Sequence, residues 1–385
     1  MRNTTNKKAI KLSKSVVDMK EVNAVRHVML EVGYFGMGGE VKAFESELKK
    51  FLRTKGEVAC VNTGTSALHL AVAAVTKPGD EVLVQSLTYL SDFQAIRAAG
   101  AVPVACEIDP KNVTIDLKDA ERKLTRKTKA IIPVHYAGDP GDLTKIYTFA
   151  RKHRLRVIED AAHAFGTVHK GKLVGSFGDI VCFSFDPIKN ITSGDGGAVV
   201  TADKRVLRYV RDARLLGVMG DSEKRYKGER SWEFDVVRQG YRYHMTNISA
   251  AIGRTQLKKF GKFKKKRQSL SKRYYRLLAN ANGIVLFKTD YRSVVPHIYP
   301  IRVLGGLRDA LREHLAKQGI ETGIHYYPSH LLSYFRKRGV AFPVTEQIYS
   351  ELLSLPLHPD VTKDEQDRVI RAITTFFQWN KKRPR

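Results

Sequence analysis

A lysine and an aspartate at the ends of apolar runs could carry the chemistry of this chain, the lysine through a covalent bond and the aspartate as its acidic partner. Lys189 closes the segment Ser184–Lys189 (SFDPIK), where an apolar run gives way to a glycine-rich loop. Asp160 lies in Glu159–His163 (EDAAH), which follows the apolar run Leu155–Ile158. Pyridoxal phosphate needs a lysine for a Schiff base and an acidic partner for its ring nitrogen. The pair therefore suggests a site for pyridoxal phosphate.

A sheet has to position these residues. Between Glu57 and Thr201 short apolar runs alternate with helical stretches, which predicts mostly parallel strands joined by helical crossovers. The predicted strands are Val58–Val61, Val82–Val84, Val102–Ala105, Ala130–Val134, Val157–Glu159, Ile180–Ser184 and the return strand Ala198–Thr201. The predicted helices are Ser66–Val75, Ser91–Ala99, Asp142–His153 and Lys204–Leu216. The predicted fold class is therefore α/β.

A second, smaller unit is predicted after Thr246. A long helix, Asn247 to about Ala281, leads away from the sheet. Four further segments indicate a small C-terminal αβ domain: Val294–Val303, Leu307–Gln318, Thr322–Tyr326 and Asp364–Phe377. We therefore predict a large domain over residues 1–250, with an N-terminal arm, and a second unit over residues 251–385.

The net charge of the chain is +28, from 67 basic and 39 acidic residues. Much of it is concentrated in Lys258–Arg276, with more at the start and in the final run Lys381–Arg385. Such charge fits a solvated helix face, or a surface for nucleic acid or an anionic membrane. We favour the solvated face.

Hydropathy and cysteine usage predict a cytoplasmic protein. No apolar run approaches the roughly 20 residues of a membrane helix, and the start, Met1–Lys14, is polar and rich in lysine. Cys60, Cys106 and Cys182 lie in apolar stretches without metal-ligand spacing. We expect buried, reduced thiols and no metal site.

The motifs resemble the DegT/DnrJ/StrS family of nucleotide-sugar aminotransferases. Members of this family carry E-D-A-A-[QH] followed by S-F-x-x-x-K. Further matches are Thr63–Leu68 to the phosphate turn, Thr88–Tyr89 to the ring-stacking position and Gly240–Gly253 to the partner-subunit segment. The matching pattern runs from about Gly36 to Pro359. The resemblance implies PLP-dependent transferase fold type I, like aspartate aminotransferase, with a large sheet domain and a small C-terminal domain.

The resemblance also implies the roles of two central residues. Lys189 would bind pyridoxal 5′-phosphate covalently and then move the proton between the substrate carbon and the cofactor. Asp160 would hold the pyridine nitrogen protonated. Taken alone, Lys189 could be a surface lysine and Asp160 a helix cap, but the combined pattern favours the site.

Other cofactor contacts follow from the same resemblance. The start of the helix at Gly64 and Thr65 offers backbone N–H groups to a phosphate, which the helix dipole favours. Ser184 would add a hydroxyl. Tyr89 would stack on the ring, and His163 would hydrogen-bond its phenolic oxygen. A core tyrosine and a packed polar residue are the competing interpretations of these last two.

One segment departs from the family pattern. Gly240–Thr246 reads GYRYHMT where relatives have G-Y-N-Y-R-M-T, so Arg242 replaces an asparagine and His244 an arginine. In relatives the asparagine reaches the phosphate of the neighbouring subunit's site. Arginine can pair with phosphate directly, so the resemblance implies a homodimer with shared sites and Arg242 as a cofactor ligand.

Two later segments resemble the substrate side of the family. Gly323–His330 is similar to T-x-V-H-Y-x-P-x-H, which assigns His325 and Tyr326 to the sugar or pyrophosphate. Ser354–Pro359 matches a signature of the small domain, where we expect a structural role.

The implied activity is transfer of an amino group from L-glutamate to a nucleotide-linked keto-deoxy sugar, through pyridoxamine 5′-phosphate. Amination at C4 is preferred over C3 on family frequency alone. The products would supply surface glycans such as the lipopolysaccharide O-antigen, or decorated metabolites.

Two alternatives remain. A PLP-dependent sugar dehydratase of this family would have histidine in place of Lys189. A basic nucleic-acid- or surface-binding protein on an aminotransferase scaffold would explain the charge, but Asp160, Ser184 and Lys189 are all retained.

Overall fold

The computed structural model describes residues 9–230 and 232–381. The first eight residues of the basic start and the last four of the basic tail lie outside the described residues. The helices are α1 Met19–His27, α2 Gly39–Leu52, α3 Gly64–Val75, α4 Ser91–Ala98, α5 Leu117–Arg122, α6 Leu143–His153, α7 Lys204–Ala213, α8 Asp221–Tyr226, α9 Asn247–Leu278, α10 Arg308–Lys317, α11 Pro343–Glu351 and α12 Lys363–Lys381.

The strands form three sheets. They are β1 Glu57–Val61, β2 Glu81–Gln85, β3 Val102–Cys106, β4 Thr128–Ile132, β5 Arg156–Asp160, β6 Val168–His169, β7 Lys172–Leu173, β8 Ile180–Ser184, β9 Gly197–Thr201, β10 Ile284–Leu286, β11 Tyr299–Val303 and β12 Leu352–Leu355. The large sheet has the order β1-β9-β8-β5-β4-β2-β3, the second is β10-β11-β12, and β6 pairs with β7.

The large sheet is parallel except at one strand. Strand β9 runs antiparallel to both β1 and β8, whereas β8, β5, β4, β2 and β3 pair in parallel. The predicted return strand and the predicted α/β fold with a mostly parallel sheet are therefore confirmed. The carboxyl ends of the parallel strands meet at one edge, where ligands bind in open α/β sheets.

Local sequence explains where several helices begin. The side chain of Thr63 accepts a hydrogen bond from the N–H of Ser66 and caps α3, and Asp142, Asp203 and Thr246 cap α6, α7 and α9 in the same way. Such caps satisfy N–H groups that have no partner within the helix. The predicted starts of these helices lie within two residues of the observed ones.

One predicted element is not formed. Thr322–Tyr326 is not a strand, because only Gly323 pairs there, with Ser354 in a single bridge. Two residues of this segment, His325 and Tyr326, line the cavity at the carboxyl edge of the large sheet. The second sheet, with α10 and α12, encloses an apolar core of its own that includes Tyr274, Ile301 and Leu353. The domain division at residue 250 stays a prediction.

The long basic helix is not uniformly solvated. Most lysines of Lys258–Arg276 are exposed or partly exposed, as expected. Arg267 is the exception, because it is buried and its guanidinium donates to the carbonyls of His297 (3.0 Å) and Leu357 (3.1 Å). Burial lowers the pKa of Arg267 to about 10. This arginine fastens the loop around His297 to α9.

The three cysteines are buried and unpaired. Within residues 9–230 and 232–381, no helix combines the length and apolar character needed to cross a membrane.

Candidate active site

A cavity of about 350 Å³ opens at the carboxyl edge of the large sheet. It lies where β1, β2, β5 and β8 end. Its lining includes Thr63, Gly64, Thr65, Thr88, Tyr89, Asp160, His163, Ser184, Lys189, His297, His325 and Tyr326. The fold therefore brings together the predicted site residues with one exception, Arg242.

The loop after β8 holds Lys189 in the wall of the cavity. Its neighbour Asn190 is buried, and the side-chain amide of Asn190 donates to the carbonyls of Phe165 and Val295, each at 3.2 Å. Burial lowers the pKa of Lys189, and the carboxylates of Asp160 and nearby acids only partly offset this effect. A lower pKa increases the fraction of neutral amine, which is the nucleophilic form.

Asp160 ends β5 and is buried beside the lysine. Its carboxylate accepts a hydrogen bond of 2.9 Å from the N–H of Ala162. Burial raises the pKa of Asp160, while Lys189 and His135 favour its ionised form. A positive group bound against this carboxylate would keep it charged. The residue is thus suited to a protonated ring nitrogen.

A second buried acid, Asp92, was missed from the sequence. Asp92 accepts a hydrogen bond of 2.5 Å from the hydroxyl of Thr88, and its other oxygen has no partner among the described residues. Burial and the neighbouring Asp160 raise its pKa far above the usual range. The raised pKa favours the protonated, uncharged carboxyl group of Asp92.

The start of α3 forms a cradle for an anion. Gly64 and Thr65 face the cavity at the first turn, where backbone N–H groups lack intrahelical partners. The β8 residue Ser184 approaches so closely that a Cβ on Gly64 would lie 2.7 Å from the Cβ of Ser184. Only glycine leaves this space open.

Replacing Gly64 by Ala should therefore weaken phosphate binding. The new methyl group collides with Ser184, and one of the two must move, which displaces an N–H donor or the hydroxyl. We expect the affinity for pyridoxal phosphate to fall by about tenfold or more. Fluorescence titration of the cofactor measures this effect. The matched control, Gly39→Ala at the start of α2, meets no atom within 4 Å and should bind normally.

Aromatic and imidazole rings close one side of the cavity. The hydroxyl of Tyr326 lies 2.9 Å from Nε2 of His163, and the ring of His297 lies 4.4 Å from that of His163. Burial raises the pKa of Tyr326 strongly and lowers that of His163, which favours the uncharged form of both groups. Tyr326 is the donor in the tautomer of His163 that carries its hydrogen on Nδ1. Nδ1 of His163 has no partner among the described residues.

His325 and Tyr89 occupy the mouth of the cavity. Nδ1 of His325 lies 2.8 Å from the hydroxyl of Ser354, and burial with the nearby Lys189 charge lowers the pKa of His325 to about 4. Tyr89 is 58% exposed and its ring lies 5.4 Å from that of Tyr326. An exposed ring at a cavity mouth is free to stack on a ligand.

Arg242 lies elsewhere. It pairs in a bridge with Leu215, beside a small separate cavity that His244 also lines. Arg242 is exposed and has no ion-pair partner in the part of the chain that the structure describes. Its charge and burial lower the pKa of His244 to about 4. Within one subunit, Arg242 does not contribute to the lining of the Lys189 cavity.

The residues present fit pyridoxal phosphate. The start of α3 offers N–H groups to a phosphate, Asp160 offers a buried carboxyl group, and Nδ1 of His163 is a ring nitrogen without a partner among the described residues. Lys189 supplies a buried amine of lowered pKa. Fold and site together define a PLP-dependent enzyme of fold type I.

Comparison with known proteins identifies the family. The sequence model of the DegT/DnrJ/EryC1/StrS aminotransferase family matches residues 16–374. An uncharacterized protein of Methanocaldococcus jannaschii is 35% identical over 373 residues, which cover 94% of this chain and 96% of the relative. The chain therefore belongs to this family and is a PLP-dependent sugar aminotransferase.

Solved structures of aminotransferases are similar to this fold. PseC of Helicobacter pylori, an aminotransferase involved in the biosynthesis of pseudoaminic acid, superposes with a TM-score of 0.89 at 25% identity, over 97% of this chain and 100% of its own. Spr1654 of Streptococcus pneumoniae, in the PMP form, has a TM-score of 0.88 at 28% identity, over 96% and 98%. The same protein is also known in a PLP form.

Proposed function

We propose that this enzyme takes the amino group of L-glutamate and transfers it to a nucleotide-linked keto-deoxy sugar in the cytoplasm. The observation that carries the proposal is the joint placement of Lys189, Asp160 and the α3 cradle in one cavity. The 4-keto sugar is preferred over the 3-keto sugar, on family frequency alone. The similarity to PseC, an aminotransferase involved in the biosynthesis of pseudoaminic acid, supports the substrate class.

Lys189 is the proposed acid–base group. Bound pyridoxal phosphate supplies an electron sink that stabilises negative charge on the reacting carbon. Lys189 would hold the cofactor through its amine. When the amino donor is bound, Nζ of Lys189 would be the group that removes the proton from the donor carbon and delivers it to the cofactor. Burial suits this task because the lowered pKa keeps a neutral amine available.

Asp160 and His163 would contact the cofactor ring at its nitrogen and at its phenolic oxygen, respectively. The carboxylate of Asp160 stabilises a positive charge at the ring nitrogen. His163 would donate from Nδ1 to the phenolic oxygen in the tautomer in which its Nε2 accepts a hydrogen bond from the hydroxyl of Tyr326. Tyr326 therefore acts partly through His163. Its remaining ring face and His325 stay available to the sugar.

Gly64, Thr65 and Ser184 bind the phosphate, and Tyr89 covers the ring. In a single subunit the side chain of Tyr89 is exposed. It would therefore cover the cavity only when a ligand stacks against its ring. The high net positive charge favours encounter with an anionic nucleotide-sugar and with glutamate.

A homodimer completes the site in this proposal. The segment around Arg242 exposes apolar side chains, namely Leu216, Met219, Phe234, Val236 and Val237. Contiguous apolar surface of this kind is typical of an interface. In the dimer, Arg242 reaches the phosphate in the neighbouring subunit. Its exposure and its lack of an ion-pair partner in the described chain support this role.

Mixing two inactive variants tests the shared site. Lys189→Ala and Arg242→Ala subunits each lack one essential group, so each homodimer should be impaired. A mixed dimer has one site with both groups intact. Equal mixing should restore about one quarter of the wild-type activity, because half of the dimers carry one working site of two. If Arg242 bound the phosphate in its own subunit, the activity of the mixture would be no higher than the average of the two variants.

The substrate class is tested by product analysis. The cofactor-loaded enzyme is incubated with L-glutamate and with nucleotide-linked 4-keto or 3-keto deoxy sugars, and the products are separated by mass. We expect conversion to the amino sugar, faster with the 4-keto substrate. Conversion of the 3-keto sugar alone would reverse the preference, and conversion of neither would contradict the substrate class.

A further inference from the structure

A second cavity lies along the free edge of the large sheet. Its volume is about 520 Å³, which is within the usual range of small-molecule sites. Strand β3 forms its floor, and β3 is the last strand in the sheet order. The opposite edge strand, β1, is bridged to the segment that carries Arg242, through Val61 and His244. The cavity is therefore remote from the proposed dimer surface.

The walls are mainly aromatic and aliphatic. The rings of Phe93 and Phe335 meet at 5.2 Å, and Phe342, Val340 and Tyr334 continue the wall. Tyr334 is 70% exposed although its ring lies 5.0 Å from that of Phe335, and Val340 is also exposed. This surface can accept an apolar body about as large as an aromatic double ring.

The polar groups favour a negative charge on that body. Arg97 and Lys337 line the cavity, are exposed, and form no ion pair with the described part of the chain. The third cation, Lys123, is paired, because its Nζ lies 2.7 Å from the carboxylate of Asp119, which also binds Arg122. Glu81 is the one carboxylate in the lining. Two unpaired cations against one acid give the cavity a net positive charge.

A buried polar atom adds a further potential contact. His330 lines the cavity and is buried, and its Nε2 lies 3.1 Å from the carboxylate of Glu346. Its Nδ1 has no hydrogen-bond partner among the described residues. A buried ring nitrogen without a partner is costly unless a ligand or a water satisfies it. The cavity therefore combines apolar walls with a few polar groups, as ligand sites do.

Two elements line both this cavity and the active site. Tyr89, two residues before α4, contacts Tyr326 at the active site, whereas Phe93 in α4 contacts Phe335 at the second cavity. The chain segment 325–342 supplies the other ring of each pair. It is fixed to the sheet between the two pairs, because the N–H of Ser329 donates to the carbonyl of Ser86 at 2.8 Å.

We propose that this cavity is a regulatory site for an amphipathic organic acid, a compound with an aromatic or aliphatic body and one anionic group. Its apolar body lies between Phe93, Phe335 and Phe342, and its anionic group meets Arg97 and Lys337. Binding orders α4 and the segment 325–342 together. This changes the position of Tyr89 and Tyr326, and therefore the rate of the first half-reaction.

The test uses 8-anilinonaphthalene-1-sulfonate, which has an aromatic body and one sulfonate, with the cofactor-loaded enzyme. We expect saturable fluorescence that weakens as salt increases. Lys337→Glu should lower the affinity by about fivefold. Arg338→Glu makes the same charge change on an exposed neighbour outside the lining and should leave the affinity unchanged. Both substitutions lie on the surface, so folding should not be disturbed.

A kinetic experiment measures whether binding at the second cavity changes the rate at the active site. A saturating probe should change the rate of the glutamate half-reaction by at least about threefold in the wild type, and Lys337→Glu should require more probe for the same change. Equal affinities in the two variants would overturn the site. Competition between the probe and the nucleotide-sugar for one site would overturn it as well, because the probe would then occupy the active-site cavity. Binding without any change in rate would overturn the coupling.

Discussion

Replacing Lys189 by Ala should abolish transamination while leaving the cofactor site largely intact. The variant loses both the nucleophilic amine and the proposed proton carrier, and we expect the turnover to fall by on the order of a thousandfold or more. The phosphate cradle at Gly64 and the carboxylate of Asp160 remain. Pyridoxal phosphate should therefore still bind, without the absorbance of a lysine-bound cofactor.

The matched control is Lys111→Ala, which removes an exposed lysine from a loop outside the cavity. It should keep the turnover and the spectrum of the wild type. Added methylamine provides a second check, because a small amine can enter the space left by the missing side chain and restore part of the proton transfer. Full turnover in Lys189→Ala would contradict the assigned role.

Replacing Asp160 by Asn should give the second largest loss. The amide has nearly the same shape and can still accept the hydrogen bond from Ala162, but it cannot hold a positive charge at the ring nitrogen. We expect the turnover to fall by about a hundredfold or more, as when a preorganised electrostatic group is removed from an active site. Single-turnover kinetics with glutamate should locate the loss in proton removal rather than in cofactor binding.

Asp92→Asn is the matched control for this change. Asp92 is also a buried acid near Lys189, but burial and the neighbouring Asp160 raise its pKa well above the usual range, which favours the uncharged carboxyl group. A neutral amide can keep the hydrogen bond from Thr88, so the turnover should stay within about threefold of the wild type. Equal losses in the two variants would show that burial of any acid at this edge, rather than the charge of Asp160, matters.

Much of the central sheet could be predicted from the sequence. The runs that form β1, β5, β8 and β9 are rich in valine and isoleucine, which favour strands. The pattern thus located Lys189, Asp160 and the start of α3 at strand ends, and the structure brings them into one cavity. Their chemical roles remain proposals that the variants above test.

Other residues of the site could not be placed from the sequence, because their positions depend on contacts between distant segments of the chain. His297 reaches the cavity because Arg267 of α9 binds its carbonyl, and the two residues belong to different elements. Asp92 lies on the first turn of a helix, where an acid is ordinarily a solvated dipole partner. Thr322–Tyr326 has the composition of a strand, but it serves the cavity through His325 and Tyr326 instead. Only the folded chain shows these placements.

The absorbance of the cofactor-loaded enzyme, before and after excess L-glutamate, tests the central claim most directly. We predict that the band of the lysine-bound cofactor is replaced by that of pyridoxamine phosphate, with one equivalent of 2-oxoglutarate released per site. Lys189→Ala should show neither the initial band nor the conversion at a comparable rate. A wild-type band that glutamate leaves unchanged would contradict glutamate as the donor and the first half-reaction proposed for this site.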